Sequence, residues 1–271
     1  MRKADTLMDY VCLHDKAEIE RYLRNDVHLN IYSIGDLDDF FWPYTTWYGF
    51  KSRERIAAII LFYAGLSLPT LVAISREEDD AMAKLLNSIR HILPSRFCAH
   101  LGMGLATVLD ETYNLECHGE YYKMALIDKA LASGKDFPDV ERLSMKDLNS
   151  IQALYKESYP GNWFDPRMLE TNQYFGIREE NRLVSIAGVH VYSPQYQVAA
   201  LGNITTLPTH RNKGCGTRVT TRLCRSLIDE NIEIGLNVKA DNKTAISCYR
   251  GIGFRLVASF EEFTAQLKRT K

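Results

Sequence analysis

Apolar positions along the chain follow two rhythms, alternation of period two and a helical recurrence at three and four residues. Their order is written twice. In the second half, residues 140–143 predict a short strand. Residues 145–159 have helical spacing, with Leu148, Ile151, Leu154 and Tyr155 on one face, and Pro160-Gly161 stops them. Pro166 opens a short helix through Leu169, since proline suits a first helical turn. Residues 174–178 and 183–192 predict a hairpin joined at Glu180-Asn181. A strand over 198–207 follows, then a helix over 217–228 with Val219, Leu223 and Leu227 inward and Arg218, Arg222 and Arg225 outward. A strand at 234–238 leads to Asp241-Asn242, which offer N-cap chemistry. Ala245, Ile246 and Tyr249 share one face of the next helix. Gly251 and Gly253 end it, and Phe254 opens a last strand.

The first half repeats this order more loosely. The pattern predicts a strand at 10–13, a helix at 16–25, a hairpin of 42–50 with 56–63, and a strand at 71–74. A helix at 81–93, stopped by Pro94, precedes a strand at 96–101, a helix at 103–111 and a strand at 117–127. Residues 128–139 hold Ser133-Gly134-Lys135 and Pro138 and suit a connector. The expected division is a first domain over 1–127, a linker over 128–139 and a second domain over 140–271. A first half of unrelated α/β architecture is the competing reading.

Bulk properties narrow the function. With 271 residues, 46% hydrophobic and 25% charged, the chain has the composition of an ordinary globular protein. A net charge of -1 argues against a nucleic-acid surface. The basic cluster from Arg211 to Arg225 is therefore local and suits one small polyanion. The six cysteines show no zinc spacing and no C-x-x-C, so no metal is expected and a reduced, cytoplasmic setting fits. Charges at Arg2, Lys3, Asp5 and Asp9, with no long apolar segment after them, give no signal-peptide pattern. The longest apolar run, 56–68, is too short to span a bilayer, so no membrane partner is expected. A monomer or a homodimer are both compatible with these properties.

The chemistry concentrates in Thr206-Leu207-Pro208-Thr209-His210-Arg211-Asn212-Lys213-Gly214-Cys215-Gly216-Thr217. A strand-like run, a proline turn and two glycines precede a helix. The first N–H groups of a helix lack internal partners, and the helix dipole adds partial positive charge there. A pyrophosphate suits such a place. Gly214 and Gly216 remove Cβ atoms where phosphate oxygens would come close, and Arg211 and Lys213 add cations. No Asp or Glu occurs from Asn181 through Ile228. The spacing is neither that of a P-loop nor that of a dinucleotide fold. An ordinary turn with a helix cap is the alternative for the loop taken alone.

The loop, Arg-x-x-Gly-x-Gly after a strand ending in Leu-Pro, resembles the acyl-coenzyme A loop of the GNAT superfamily of N-acyltransferases. The string Asn242-Lys-Thr-Ala245-Ile-Ser-Cys-Tyr249-Arg-Gly-Ile-Gly253-Phe254 is similar to that family's N-x-x-A-x-x-x-Y-x-x-x-G-F pattern at all five fixed positions. The two-domain layout is similar to that of mycothiol synthase and glycine N-acyltransferase-like proteins, in which a degenerate copy precedes an active one. The resemblance implies tandem α/β (α+β) domains. Each would be a mixed, mostly antiparallel sheet with a splayed central strand pair, flanked by helices.

It also implies a reaction. An amine of a small molecule or peptide would attack the thioester of acetyl-coenzyme A directly. The pantetheine would run along Ile204, Thr205, Thr206 and Leu207, and an N–H near Leu207 would polarise the carbonyl. The pyrophosphate would rest on Arg211, Asn212, Lys213, Gly214, Cys215, Gly216 and Thr217, and Asn242 would bond the pantetheine. Tyr249, a phenol protonated at neutral pH, would serve as general acid; the alternative is that it only packs.

The base is less defined. Many relatives place a Glu on the strand before the loop, but here that strand carries Asn203, which takes no proton at neutral pH. His190 is the nearest titratable candidate; a structural His190 with a water chain or an already neutral amine is the alternative. Glu157, Tyr159, Trp163 and Phe164 are candidates for the acceptor site, the last two as an aromatic wall or as a loop folded onto the core. A coenzyme A-binding module without turnover is the competing function.

In the first half, Ser75-Arg76-Glu77-Glu78-Asp79-Asp80 stands where the glycine loop should be. Its carboxylates repel a pyrophosphate, so this half is expected to bind no coenzyme A. The aromatic cluster Phe40, Phe41, Trp42, Tyr44, Trp47 and Tyr48 is expected either to border the other half or to fill its own core.

Overall fold

The computed structural model describes residues 10–52, 54–76, 79–134 and 137–268. The N-terminal charges Arg2, Lys3, Asp5 and Asp9, the carboxylates Glu77 and Glu78, and Lys135 of the connector lie outside the described residues. In chain order the elements are β1 (Tyr10–Leu13), α1 (Lys16–Leu23), α2 (Val27–Gly35), β2 (Thr45–Ser52), β3 (Arg55–Tyr63), β4 (Thr70–Ala73), α3 (Asp80–Ile89), β5 (Arg96–Gly102), α4 (Ala106–Asp110) and β6 (Tyr113–Leu126). They continue with α5 (Ala130–Ser133), β7 (Val140–Arg142), α6 (Leu148–Ser158), β8 (Phe175–Glu179), β9 (Arg182–Ser193), β10 (Val198–Thr206), α7 (Cys215–Asp229), β11 (Glu233–Lys239), α8 (Lys243–Ile252) and β12 (Phe254–Leu267).

The chain divides into two compact units, each discontinuous in sequence. The first takes the residues up to Lys123, Lys239–Asp241 and those from Val257 onward; the second takes Met124–Val238 and Asn242–Leu256. In the first unit β1, β2, β3 and β4 pair antiparallel in turn, β4 and β5 run parallel, and β5 pairs antiparallel with the Phe260–Gln266 stretch of β12. In the second unit β7, β8, β9 and β10 pair antiparallel in turn, and β10 and β11 run parallel. The repeated order is therefore real: one parallel pair in an otherwise antiparallel sheet, twice. The expected class, a mixed and mostly antiparallel sheet flanked by helices, is the one observed.

Local chemistry accounts for the elements. Asp15 caps α1 and Asp79 caps α3, each by accepting from two backbone N–H groups. The β8–β9 turn places Glu180 and Asn181 at positive φ, the backbone twist a tight hairpin needs. Val219, Leu223 and Leu227 are fully buried along one face of α7, each contributing about 1.5–3 kcal/mol by leaving water. In the first unit Leu85, Leu86, Ile89, Phe97, Leu101 and Leu109 form the core between α3, α4 and the sheet.

The aromatic cluster divides. Trp47 is buried and stacks on Trp42, and Phe41 is buried beside Tyr63, whereas Phe40 and Tyr44 are about half exposed. Two features escape the sequence pattern. Val27–Gly35 is a helix whose apolar residues lack a clean amphipathic stripe, and the connector holds α5, with Ala132 fully buried.

Candidate active site

The parallel ladder of the second unit is short. β10 pairs with β11 only from Val198 to Leu201, against Glu233 to Leu236, and Gly202–Thr206 continue without that partner. On its other side β10 meets β9 through two bulges. Ala200 and Leu201 face Val191 and Val189, so His190 is the extra residue on β9. Gly202 and Thr205 face Gly188 and Ile186, so Asn203 and Ile204 stand against Ala187 alone. Asn203 has φ of +55°, in the left-handed region. Bulges re-aim side chains and end pairing; here the two consecutive bulges carry the two polar residues that meet.

A buried polar network follows. Tyr174 donates to the Val189 carbonyl at 2.9 Å, so its oxygen accepts from Asn203 Nδ2 at 3.0 Å. That orientation turns Asn203 Oδ1 toward Asn162 Nδ2 and His190 Nε2, both at 3.2 Å. An amide oxygen only accepts, so His190 carries its proton on Nε2 and keeps a lone pair on Nδ1. Burial lowers the His190 pKa from its ordinary value, with the Asn203 bond opposing in part, so the ring is neutral at pH 7. Tyr155 donates to the Asn203 carbonyl at 3.0 Å. Thr205 Oγ1 meets Ser158 Oγ at 3.2 Å, tying the end of α6 to β10.

Two glycines make room for the rings. A Cβ on Gly202 would lie 2.3–2.4 Å from ring atoms of His190, and one on Gly188 would lie 2.1–2.5 Å from the ring of Tyr174. Trp163 packs on His190 with ring centroids 5.7 Å apart and is 42% exposed, so it borders solvent. Phe164, half-buried, sits between Tyr155 and Tyr174 with ring centroids 5.1 and 5.9 Å away. Tyr159 is exposed at the end of α6. Glu157 is not brought to His190 by any contact; it forms an ion pair with Arg182, half exposed.

The glycine loop leads from β10 into α7. Asn212 and Gly214 adopt positive φ, +61° and +77°. No side chain caps α7, which begins at Cys215, two residues earlier than its apolar stripe predicts. Among the described residues the N–H groups of Asn212, Lys213, Gly214, Cys215, Gly216 and Thr217 meet no acceptor. A Cβ on Gly214 would meet nothing within 4 Å, and one on Gly216 only Thr206 Oγ1 at 3.5 Å. The pocket of amides is open. Arg211 Nε donates to the Thr206 carbonyl at 3.2 Å and holds the loop to the strand end.

Several expectations change. The Leu207 N–H, expected beside a thioester, donates to the Val184 carbonyl at 2.9 Å. The basic cluster is smaller than its sequence: Arg218 pairs with Asp139 at 2.5 Å, and Arg222 lies over the Phe175 ring at 4.8 Å, so neither projects freely outward. The acid-free run from Asn181 to Ile228 acquires carboxylates from elsewhere, Asp139 on Arg218 and Glu179 on His210 at 2.9 Å. The oxygen of the Asn242 side chain accepts from Ala245 N–H at 3.1 Å as the cap of α8. Tyr249 is buried on α8 with its ring against Phe254, 5.8 Å between centroids, and Thr217 Oγ1 meets Cys248 Sγ at 3.2 Å, so α8 lies against the first turn of α7. The six cysteines are free thiols, and no described helix is long and apolar enough to cross a membrane.

Comparison with known proteins agrees with this geometry. Residues 174–263 match the family described as FR47-like protein. An uncharacterised protein of Mycobacterium leprae is 30% identical over 126 residues, 44% of this chain; the match spans 33% of that relative's length. A Drosophila protein of solved structure superposes with a TM-score of 0.70 at 12% identity, covering 96% of this chain and 99% of its own. A tandem GNAT protein from the clavulanic acid biosynthesis pathway does so with a TM-score of 0.57 at 15% identity, covering 97% and 100%. A GCN5-related N-acetyltransferase from Sphaerobacter thermophilus does so with 0.59 at 9% identity, covering 97% of each chain. The chain thus has the tandem fold of the GNAT superfamily, as its two motifs imply. The stretch that matches the FR47-like family, residues 174–263, lies mostly in the second unit and includes the glycine loop and Tyr249.

Proposed function

We propose that the second unit transfers an acetyl group from acetyl-coenzyme A to an amine of a small molecule or peptide. The observation that carries this reading is the run of six unpaired N–H groups from Asn212 to Thr217 at the start of α7, beside the place where β10 and β11 part. Such a run cradles a pyrophosphate. The unpaired edge of β10 at Ile204–Thr206 suits an extended pantetheine arm, and Lys213 is placed to add charge. The acceptor amine then approaches from the side of Trp163 and His190.

The amine nitrogen attacks the thioester carbonyl, the C–S bond breaks, and the amine loses a proton as the thiolate gains one. His190 Nδ1 is the acceptor for the first proton, because Nε2 is committed to Asn203. Tyr249 supplies the second. In this arrangement the amide of Asn203 replaces a carboxylate base with an orienting group, and the ring it orients does the proton transfer.

Free-thiol release from acetyl-coenzyme A across a panel of amines is the direct test. Acyl transfer is expected, with Tyr249→Phe lowering kcat by about 10²-fold or more and leaving coenzyme affinity unchanged. A second reading, a coenzyme A-binding module, draws on the same absence of a carboxylate at Asn203. Tight coenzyme binding with no turnover on any amine would select it.

A further inference from the structure

The first unit contains a cavity of about 260 Å³ lined from α1, α2 and the sheet, with Met82 of α3 also on its wall. Its walls join an apolar side, with Leu29, Ile59, Leu61, Val72 and Met82, to a polar one that holds Asp26, Arg76 and Asp79. Lys123, on β6, is the buried charge that needs an explanation. It is 6% exposed and lines the cavity, yet its ammonium makes no hydrogen bond or ion pair among the described residues. It is held only over two rings, 5.2 Å from the Tyr32 centroid and 6.0 Å from that of Phe260. Asp36 is near enough to act on it through the field but forms no ion pair with it.

A buried cation without acceptors is unfavourable by several kcal/mol unless something neutralises it. Burial accordingly lowers the Lys123 pKa to about 8. The other cation at the cavity, Arg76, is already satisfied by both carboxylate oxygens of Asp26, one of them at 2.9 Å. Asp79 is likewise occupied, as the cap of α3. Among the described residues Lys123 is therefore the cation at this cavity whose donors find no hydrogen-bond acceptor.

We propose that this cavity is a binding site for a small carboxylate with an apolar body, its carboxylate accepting from Lys123 Nζ and its hydrocarbon lying along Leu29, Ile59, Leu61, Val72 and Met82. A charge-assisted bond to a buried ammonium is strong, and the volume suits a molecule of a few carbons. The proposal concerns the first unit alone and is independent of the acyl-transfer reading of the second. It also gives the half that lacks a glycine loop a ligand of its own.

Isothermal titration of the full chain with 4-methylpentanoate, 4-methylpentanamide and 4-methylpentan-1-amine tests it. The acid should bind one per chain, at least ~10-fold more tightly than the amide or the amine. Lys123→Met should lose that preference and Lys123→Arg should retain most of it. The ligand comparison on the wild-type chain stands even if Lys123→Met does not fold. No saturable binding of the acid by about 5 mM, a weak limit for one small ligand, would overturn the proposal. So would equal binding of acid and amide, or unchanged acid binding in a folded Lys123→Met chain.

Discussion

At the scale of single residues, the site depends on atoms that are missing as much as on atoms present. Gly202 carries no Cβ because the His190 ring occupies that space. Gly202→Ala should displace the ring, cost about 1–3 kcal/mol of stability through overpacking, and lower turnover by ~10²-fold if His190 is the base. A thermal melt and the thiol-release assay read the two effects separately. His190 also makes a pH prediction. Its folded pKa is depressed by burial, while the unfolded value is about 6.5. The unfolded chain takes up a proton that the folded ring refuses, so stability falls as pH drops below about 6.5 and is unaffected above it. The acid limb of kcat/KM should likewise lie below about 6.5, and His190→Gln should remove both effects. None of this was legible in the sequence beyond His190 and Asn203 as separate letters. Their meeting requires two bulges, and a bulge is an irregularity of pairing that alternation cannot encode.

At the scale of elements, legibility followed the strength of the pattern. Helix α7, with residues inward at every fourth position, and the hairpin at Glu180-Asn181 were evident, because burial and turn chemistry agree there. Helix α2 was not, because its nine residues are apolar on several faces. The two glycines before α7 were visible as letters, but the fate of Arg218 and Arg222 was not legible, since their partners Asp139 and Phe175 come from distant segments. The loop makes its own prediction. Gly214 sits at φ of +77°, where a side chain is strained, and a carboxylate there would face the pyrophosphate. Calorimetry should find one coenzyme A per chain, and Gly214→Glu should weaken that binding by 100-fold or more, roughly the loss of two charge-assisted contacts.

At the scale of the whole molecule, the sequence foretold two copies of one order of elements but not how the chain is shared between them. The boundary of a compact unit depends on which strands pair, and pairing between residues more than a hundred positions apart leaves no local mark. A fragment beginning at Asp139 lacks Met124–Leu126 and the Ile127 and Asp128 N–H groups that both donate to the Gly253 carbonyl. It also exposes the stretch of β12 that β5 covers in the full chain. Unpaired edges of that kind aggregate. We expect this fragment to melt at a lower temperature than one spanning residues 124–256, and light scattering on heating to report the difference.

The passage of β12 into the first unit has a consequence for the order of synthesis. Phe260–Gln266 pair with β5, so the sheet that begins with β1 to β5 is completed by residues that leave the ribosome only after the second unit has been made. The first unit cannot reach its final form as a nascent domain, and must wait through the whole translation of its sibling. Any stall or premature stop at the codons for Phe260–Gln266 would therefore damage a unit most of which was made before its sibling.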